Sequence, residues 1–394
     1  METQMAVTGH WQGGFDEPKL AALAESLRKR LAGPVDLALV FMTPDYFSDA
    51  TQALEIIRVH ARAPLLAGCS GAGLIEGGQE RENASGLVLG LYSLPQVRLK
   101  AHWLTPEQLD AAEGPAYWHA KTGDGPADAN GWLVFADPYT FNAEEWLQQW
   151  NLAYPDRPIL GGLASGRADD SGTRLFLDGE VFDQGAVVIS VGGRIHLKGV
   201  VSQGCTPIGE PWTITRAQQH FIQEIGNRPA YKVLADTFGN LAAKEQRRTR
   251  GNLFVGLVVN EYLEQFQRGD FLIRNLLGGD PKTGILAVGA LPRPGQTMQF
   301  QRRDAEAATE DLLALLEKAR VELSGRTVYG GCLFCCGGRG RGLFGADNHD
   351  AALVQQHLGP LGLTGFFCNG EIGPVGNRNF LHGYTASLAL FHSA

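Results

Sequence analysis

Cysteine is scarce in this chain, with six in 394 residues, too few and too scattered to build a disulfide framework, so they read as reduced thiols. The one CxxC, Cys332 to Cys335, has no second CxxC and no paired histidines, which excludes a closed tetrahedral zinc site. Long apolar runs are absent. Nothing approaches the ~18 residues needed to span a bilayer, and the N-terminus lacks the basic start and apolar core of a secretory leader. A cytoplasmic protein without membrane partners is expected. Cationic charge is in deficit, 34 Lys plus Arg against 42 Asp plus Glu for a net charge of -8, so nucleic acid is not a partner. A Walker loop, HExxH, CxxCH, nucleophile elbow and any ordered Ser/His/Asp set are all missing. No motif therefore indicates catalysis, and covalent haem attachment is excluded. Hydrophobic residues at 44% and charged residues at 19% describe a folded globule rather than a disordered chain.

What is abundant is glycine, 51 residues, close to twice the usual ~7%. The glycines follow apolar runs, where the backbone must turn tightly. The sequence also repeats itself at an offset of 94 residues. Leu39-Val40-Phe41 recurs as Leu133-Val134-Phe135, Pro44 as Pro138, Phe47 as Phe141, Pro64 as Pro158, Leu66 as Leu160 and Gly68 as Gly162, with no gap. Ser48 and Asn142 share the offset and read as helix N-caps. Each copy is an apolar strand, a Pro-containing loop, a helix and a second strand ending in a glycine turn, a βαβ unit whose continuous apolar runs fit strands buried on both faces. Closing strands are expected over 86–92 and 185–191.

A third, looser copy is expected near the C-terminus, with a strand over 328–336, a helix over 349–358, a strand into Cys368-Asn369-Gly370 and a closing strand over 387–391. Its turn Cys368-Asn369-Gly370 matches Cys69-Ser70-Gly71. The intervening segment holds strands over 253–259, 271–275, 285–290 and 297–301, and a helix over 304–323. The basic run 246–250 reads as a solvated loop. The fold class is α/β, with repeated βαβ units in mixed sheets and two modules sharing a pocket. The domains are an N-terminal extension over 1–34, an N-terminal module over 35–225 and a C-terminal module over 226–394.

Gly68-Cys69-Ser70-Gly71-Ala72-Gly73, the segment Phe271-Leu272-Ile273-Arg274-Asn275 with Gly278 to Lys282, the pair Arg303-Asp304, the run Phe334 to Gly340 and Cys368 to Gly373 together resemble the FIST (F-box and intracellular signal transduction) proteins over roughly residues 35–385. The resemblance implies intracellular sensing of a small ligand, with amino acids proposed, and output through a separate signalling protein such as a kinase or cyclase. It also implies an alternative, a haem-binding nitric oxide sensor, for which His60, His196, His349, His357 and His382 are the candidate axial ligands.

Ligands of parallel α/β sheets collect beyond the C-terminal strand ends, which places the candidate ligand-binding residues at Cys69, Ser70, Gly71, Arg274, Cys336, Gly337, Arg339, Cys368, Asn369 and Glu371. Ser70 and Asn369 read either as donors to a carboxylate or as local caps, and Glu371 as a partner for an ammonium group. Arg339 is the expected anion anchor, because a planar guanidinium binds a carboxylate with two bonds. Cys336 reads either as a thiol activated by that arginine or as an inert core cysteine. The expected function is a small-ligand sensor for an amino acid or similar carboxylated metabolite, with a cysteine-dependent enzyme as the competing class.

Overall fold

The computed structural model describes residues 4–166 and 172–394. They form a mixed α/β protein of two compact units, residues 1–201 with 313–394, and residues 202–312. The first unit is therefore discontinuous along the sequence. The N-terminal residues belong to it. Strand Ala6–Gln12 pairs with Gly86–Tyr92, and the following helix, Glu17–Arg30, starts on Asp16, which accepts the Lys19 N–H at 3.1 Å. That helix carries Glu17 first and Arg28, Lys29 and Arg30 last, as its dipole favours.

Among the described residues, three six-stranded sheets make up the strands of the first unit, and all three have one order. The first runs Ala6–Gln12, Gly86–Tyr92, Leu37–Met42, Leu66–Ser70, Leu175–Leu177, Glu180–Phe182. The second runs Val97–Leu104, Ala186–Gly193, Gly131–Ala136, Ile159–Leu163, Glu371–Val375, Arg378–His382. The third runs Ile195–Ser202, Ala386–Ser393, Val328–Cys336, Leu363–Cys368, Gly73–Glu76, Gln79–Glu82. In each, the two central strands are the parallel pair of a βαβ unit, and the last two form a hairpin lent by another repeat. The first repeat lends to the third sheet, the second to the first and the third to the second, so each parallel strand's open edge is covered.

Register refines the repeat. Val40 pairs with Gly68, Val134 with Gly161 and Leu333 with Gly365. The first strands are thus 94 residues apart, but Gly68 corresponds to Gly161, not to Gly162; the second copy is one residue shorter between its strands. The same registers make Cys69 the counterpart of Phe366 and Gly71 that of Cys368, a two-residue correction to the turn match read from sequence. Side chains two apart in a strand share a face, which is why the mismatched turns still looked alike. At each equivalent glycine the partner strand's carbonyl oxygen lies 1.7 to 1.9 Å from where a Cβ would stand, so no side chain fits.

Alternation then decides the packing. Leu37, Leu39 and Phe41 face the interior shared by the sheets, while Ala38, Val40 and Met42 face the helices. Leu133 and Phe135 divide in the same way from Trp132, Val134 and Ala136. Phe41, Phe135 and Phe334, equivalent in the three repeats, meet at ring-centroid distances of 5.4, 6.1 and 6.5 Å, and Phe366 lies 4.9 Å from Phe41. These rings mark a pseudo-threefold axis and fill it. Around the second sheet Asn142 caps its helix as expected, accepting the Glu145 N–H at 3.2 Å. Ser48 does not: Asp49 is the N-cap of Ala50–Ala61, and Ser48 donates to Asp49.

The second unit is an antiparallel sheet in the order Cys205–Gln218, Thr297–Arg303, Leu253–Val258, Phe271–Asp280, Ile285–Val288, Phe221–Ile225, Arg228–Pro229, closed by a pairing of Cys205–Gln218 with Phe221–Ile225. Ile214, Val255, Leu286 and Phe300 belong to its core. The basic run forms helix Ala243–Thr249 rather than a loop, and Arg248 pairs with Asp304 and Glu306.

The axial aromatic cluster sets one expectation. Phe135→Ala should cost about 3–5 kcal/mol, read as a lower urea midpoint at unchanged m-value. Tyr139→Ala, at a side chain 71% exposed, should stay within about 0.5 kcal/mol of wild type.

Candidate functional site

At one end of the axis the first strands terminate in equivalent residues, Thr43, Asp137 and Cys336, whose N–H groups donate to Gly86, Gly185 and Thr385 carbonyls at 3.0, 2.8 and 2.9 Å. The bends that follow the second strands converge there and bond to one another. Ser165 N–H donates to Ser70 O at 3.1 Å and Asn369 N–H to Leu163 O at 3.1 Å. The Ser165 hydroxyl accepts Ala72 N–H at 2.9 Å and donates to Phe367 O. Asn369 Nδ2 donates to Ala164 O at 3.2 Å, and Gly337 N–H to Cys368 O at 3.2 Å. Ser165, the hub of this ring, is a residue that sequence reasoning missed; it stands four positions past its strand's glycine, as Ala72 and Asn369 do, but without a flanking motif. Gly162 lets the ring close, since a Cβ there would lie 2.4 Å from Cys368 Sγ.

The turns therefore meet as expected, but many of the amides that were to serve a ligand are spent in joining them. Ser70 is buried and its hydroxyl accepts Arg174 N–H at 3.1 Å. Gly71 is buried and donates to Met42 O at 3.0 Å. Cys69 and Cys368 are buried, and burial pushes both thiols well above the ordinary range, so they persist as neutral thiols. Glu371 is fully buried, and its Oε2 accepts Thr385 N–H at 2.9 Å. At the solvent edge of the ring stand Asn369 and Gly337, both exposed, with half-buried Cys336, whose sulfur accepts Gly338 N–H at 3.3 Å. Arg274 belongs to the other compact unit, in strand Phe271–Asp280, where Nη1 donates to Ile273 O at 3.0 Å.

Arg339 is 1% exposed, and its fork closes on Asp350, with Nε to Oδ2 at 2.6 Å and Nη2 to Oδ1 at 2.9 Å. The guanidinium is thus committed to a buried carboxylate, which corrects its reading as a ligand's anion anchor. Burial alone would raise the Asp350 carboxyl, but the charge and hydrogen bonds of Arg339 outweigh it and hold Asp350 below the usual range. His349 stacks on Phe344 at 3.4 Å and reaches Asp350 at 2.9 Å. Glu80 lies beside this cluster, and sequence reasoning missed it because Gln79-Glu80-Arg81-Glu82 looks like a solvated hairpin. Burial, with the Asp350 and Glu82 charges, pushes its carboxyl up to about 7.

The candidate haem ligands are held apart by protein partners. His60 binds Glu25 at 2.9 Å, His357 binds Leu353 O at 3.0 Å and His382 binds Gly373 O at 3.0 Å. His196 stacks on His392 and His349 on Phe344. Among the described residues His349 and His357 share helix His349–Leu358 and the other three sit on separate elements, and each ring is engaged by a protein group, an arrangement that does not fit haem.

Family models of the FIST N domain and the FIST C domain match residues 36–228 and 230–374. An uncharacterized protein of Mycobacterium tuberculosis strain H37Rv is 38% identical over 372 residues, 94% of this chain and 95% of its own length. An uncharacterized protein of Mycobacterium bovis is 36% identical over 369 residues, 93% of this chain and 94% of its own length. An F-box/LRR-repeat protein of Arabidopsis thaliana is 29% identical over 130 residues, 29% of this chain and 25% of its own. A solved cyanuric acid hydrolase aligns over 99% of this chain and 100% of its own at 11% identity and a TM-score of 0.33, too distant to carry an argument.

Glu80 makes stability depend on pH with a defined sign. Its folded pKa lies above the ordinary 4.5, so its contribution is fully present below pH 4.5, is lost as pH rises towards about 7 and is flat above. Relative to Glu80→Gln, the wild type should lose about 3 kcal/mol across that interval. Urea titrations at both pH limits check this, and parallel stability profiles would refute it.

Proposed function

The chain belongs to the FIST family, and from that premise we propose that it binds an amino acid or similar carboxylated metabolite at the rim of the axial ring and relays occupancy to a separate signalling protein, such as a kinase or cyclase, in the cytoplasm. The observation that carries the reading is the convergence of the three bends, which brings exposed Asn369 and half-buried Cys336 together where three sheets end. Asn369 spends one Nδ2 hydrogen on Ala164, leaving a second hydrogen and a carbonyl acceptor for a ligand. That pair complements a carboxylate on one side and an ammonium on the other. A ligand seated on the ring touches segments from all three repeats, so occupancy stiffens the unit as a whole, a change that a partner can read.

The competing reading, a cysteine-dependent enzyme, has one observation in its favour: Cys336 is the thiol of the six that is not buried. Its expected activator is missing, however, because Asp350 neutralises Arg339.

A thermal-shift screen of amino acids and small carboxylates should find a stabiliser, with about 2.7 kcal/mol gained at a hundredfold excess over Kd. Asn369→Ala should weaken that ligand about tenfold, whereas Cys336→Ala should leave binding within about threefold. Silence across the panel overturns the sensor reading. Turnover that is lost on Cys336→Ala favours the enzyme.

A further inference from the structure

The hairpin that the first repeat lends to the third sheet carries charge where its counterparts do not. Its outer strand, Gln79–Glu82, is the edge of that sheet. Glu80 pairs with Ile75 across the hairpin as Val181 pairs with Phe176 and Leu381 with Ile372. Val181 and Leu381 pack against the apolar layers of their sheets, yet Glu80, in the same position, is only 9% exposed. One of its oxygens has a structural use. Oε1 accepts Ala351 N–H at 2.8 Å, and Glu80 N–H donates to Asn348 Oδ1 at 2.7 Å, so strand and helix His349–Leu358 cap each other. Oε2 has no hydrogen-bond partner among the described residues, a costly condition for a buried carboxylate.

Glu80 borders a cavity of about 310 Å³. Glu82, two residues further along the strand, shares its face and also lines the cavity, beside Gln12 and Asn83. The cations nearby are matched, Arg341 to Asp347 at 3.8 Å and Arg81 to Glu76 at 3.8 Å. Glu82 Oε1 accepts the backbone N–H of Arg341 at 2.8 Å, which leaves its charge unbalanced. Glu82 is thus surplus negative charge beside a polar cavity, and a cation there favours the charged form of Glu80. We infer that this cavity is a binding site for a small organic ammonium ion bearing at least two N–H donors, with the Glu80 and Glu82 carboxylates as its acceptors. The site is separate from the axial ring and stands or falls independently of it.

Titration calorimetry of the full chain with 2-aminoethanol and 1,3-diaminopropane tests the assignment. Both amines should bind with Kd of about 1 mM or tighter. Glu80→Gln keeps a carbonyl oxygen for the Ala351 N–H while removing the charge, and should weaken both amines at least about tenfold; Glu82→Gln should weaken them about threefold. The N-trimethylated analogue of 2-aminoethanol, which has no N–H, should bind at least about tenfold more weakly, and acetate should not bind. Failure of both amines to bind the wild type, undiminished binding by Glu80→Gln, or acetate binding as tightly as the amines would each overturn the inference. If Glu80→Gln does not fold, the wild-type comparison decides, and equal affinity for 2-aminoethanol and its trimethylated analogue counts against the site.

Discussion

The first unit depends on the packing of equivalent aromatic side chains along its pseudo-threefold axis. Phe41, Phe135 and Phe334 each occupy an axis-facing position within the last three residues of a central strand, and their edge contacts hold three sheets at a common interior. Aromatic pairs at such distances prefer tilted or edge geometries and add about 0.5–1.5 kcal/mol each beyond burial. Because each ring touches the others, the strand ends beyond them have little freedom, and the bends are brought within hydrogen-bonding range. The ring of Ser70, Ser165 and Asn369 contacts follows from that aromatic plug.

Hairpin exchange is the second constraint. Each repeat completes a neighbouring repeat's sheet, so no repeat has a finished sheet alone. The exchange also moves chemistry. Glu80 and Glu82 are encoded in the first repeat but accept backbone N–H groups of Ala351 and Arg341 in the third, and Glu371, encoded in the third, is paired with Gly162 of the second. Divergence among the hairpins therefore alters sites in neighbouring sheets while the aromatic axis stays constant.

The repeated strand, helix and strand were legible because parallel strands buried on both faces leave continuous apolar runs; Val328–Cys336, His349–Leu358 and Gly86–Tyr92 fall where expected. The site was legible in location more than in function. Cys336 and Asn369 do reach the solvent edge of the converging turns, but Ser70 and Arg339 already have protein partners. Arginine in a glycine run looks the same in sequence whether its carboxylate is a ligand or Asp350. Ser165 was overlooked because a lone serine has no pattern to betray it.

Composition and periodicity by themselves determined the α/β class, the repeat and the location of the glycine bends, since these rest on local burial and backbone sterics that act within a few residues. Which repeat completes which sheet, the one-residue shortening that makes Gly161 the counterpart of Gly68, and the pairing of Arg339 with Asp350 were decided by tertiary structure alone. Each depends on the meeting of side chains or strands distant along the chain, and a two-residue slip in matching turns changes no facing pattern that a sequence displays.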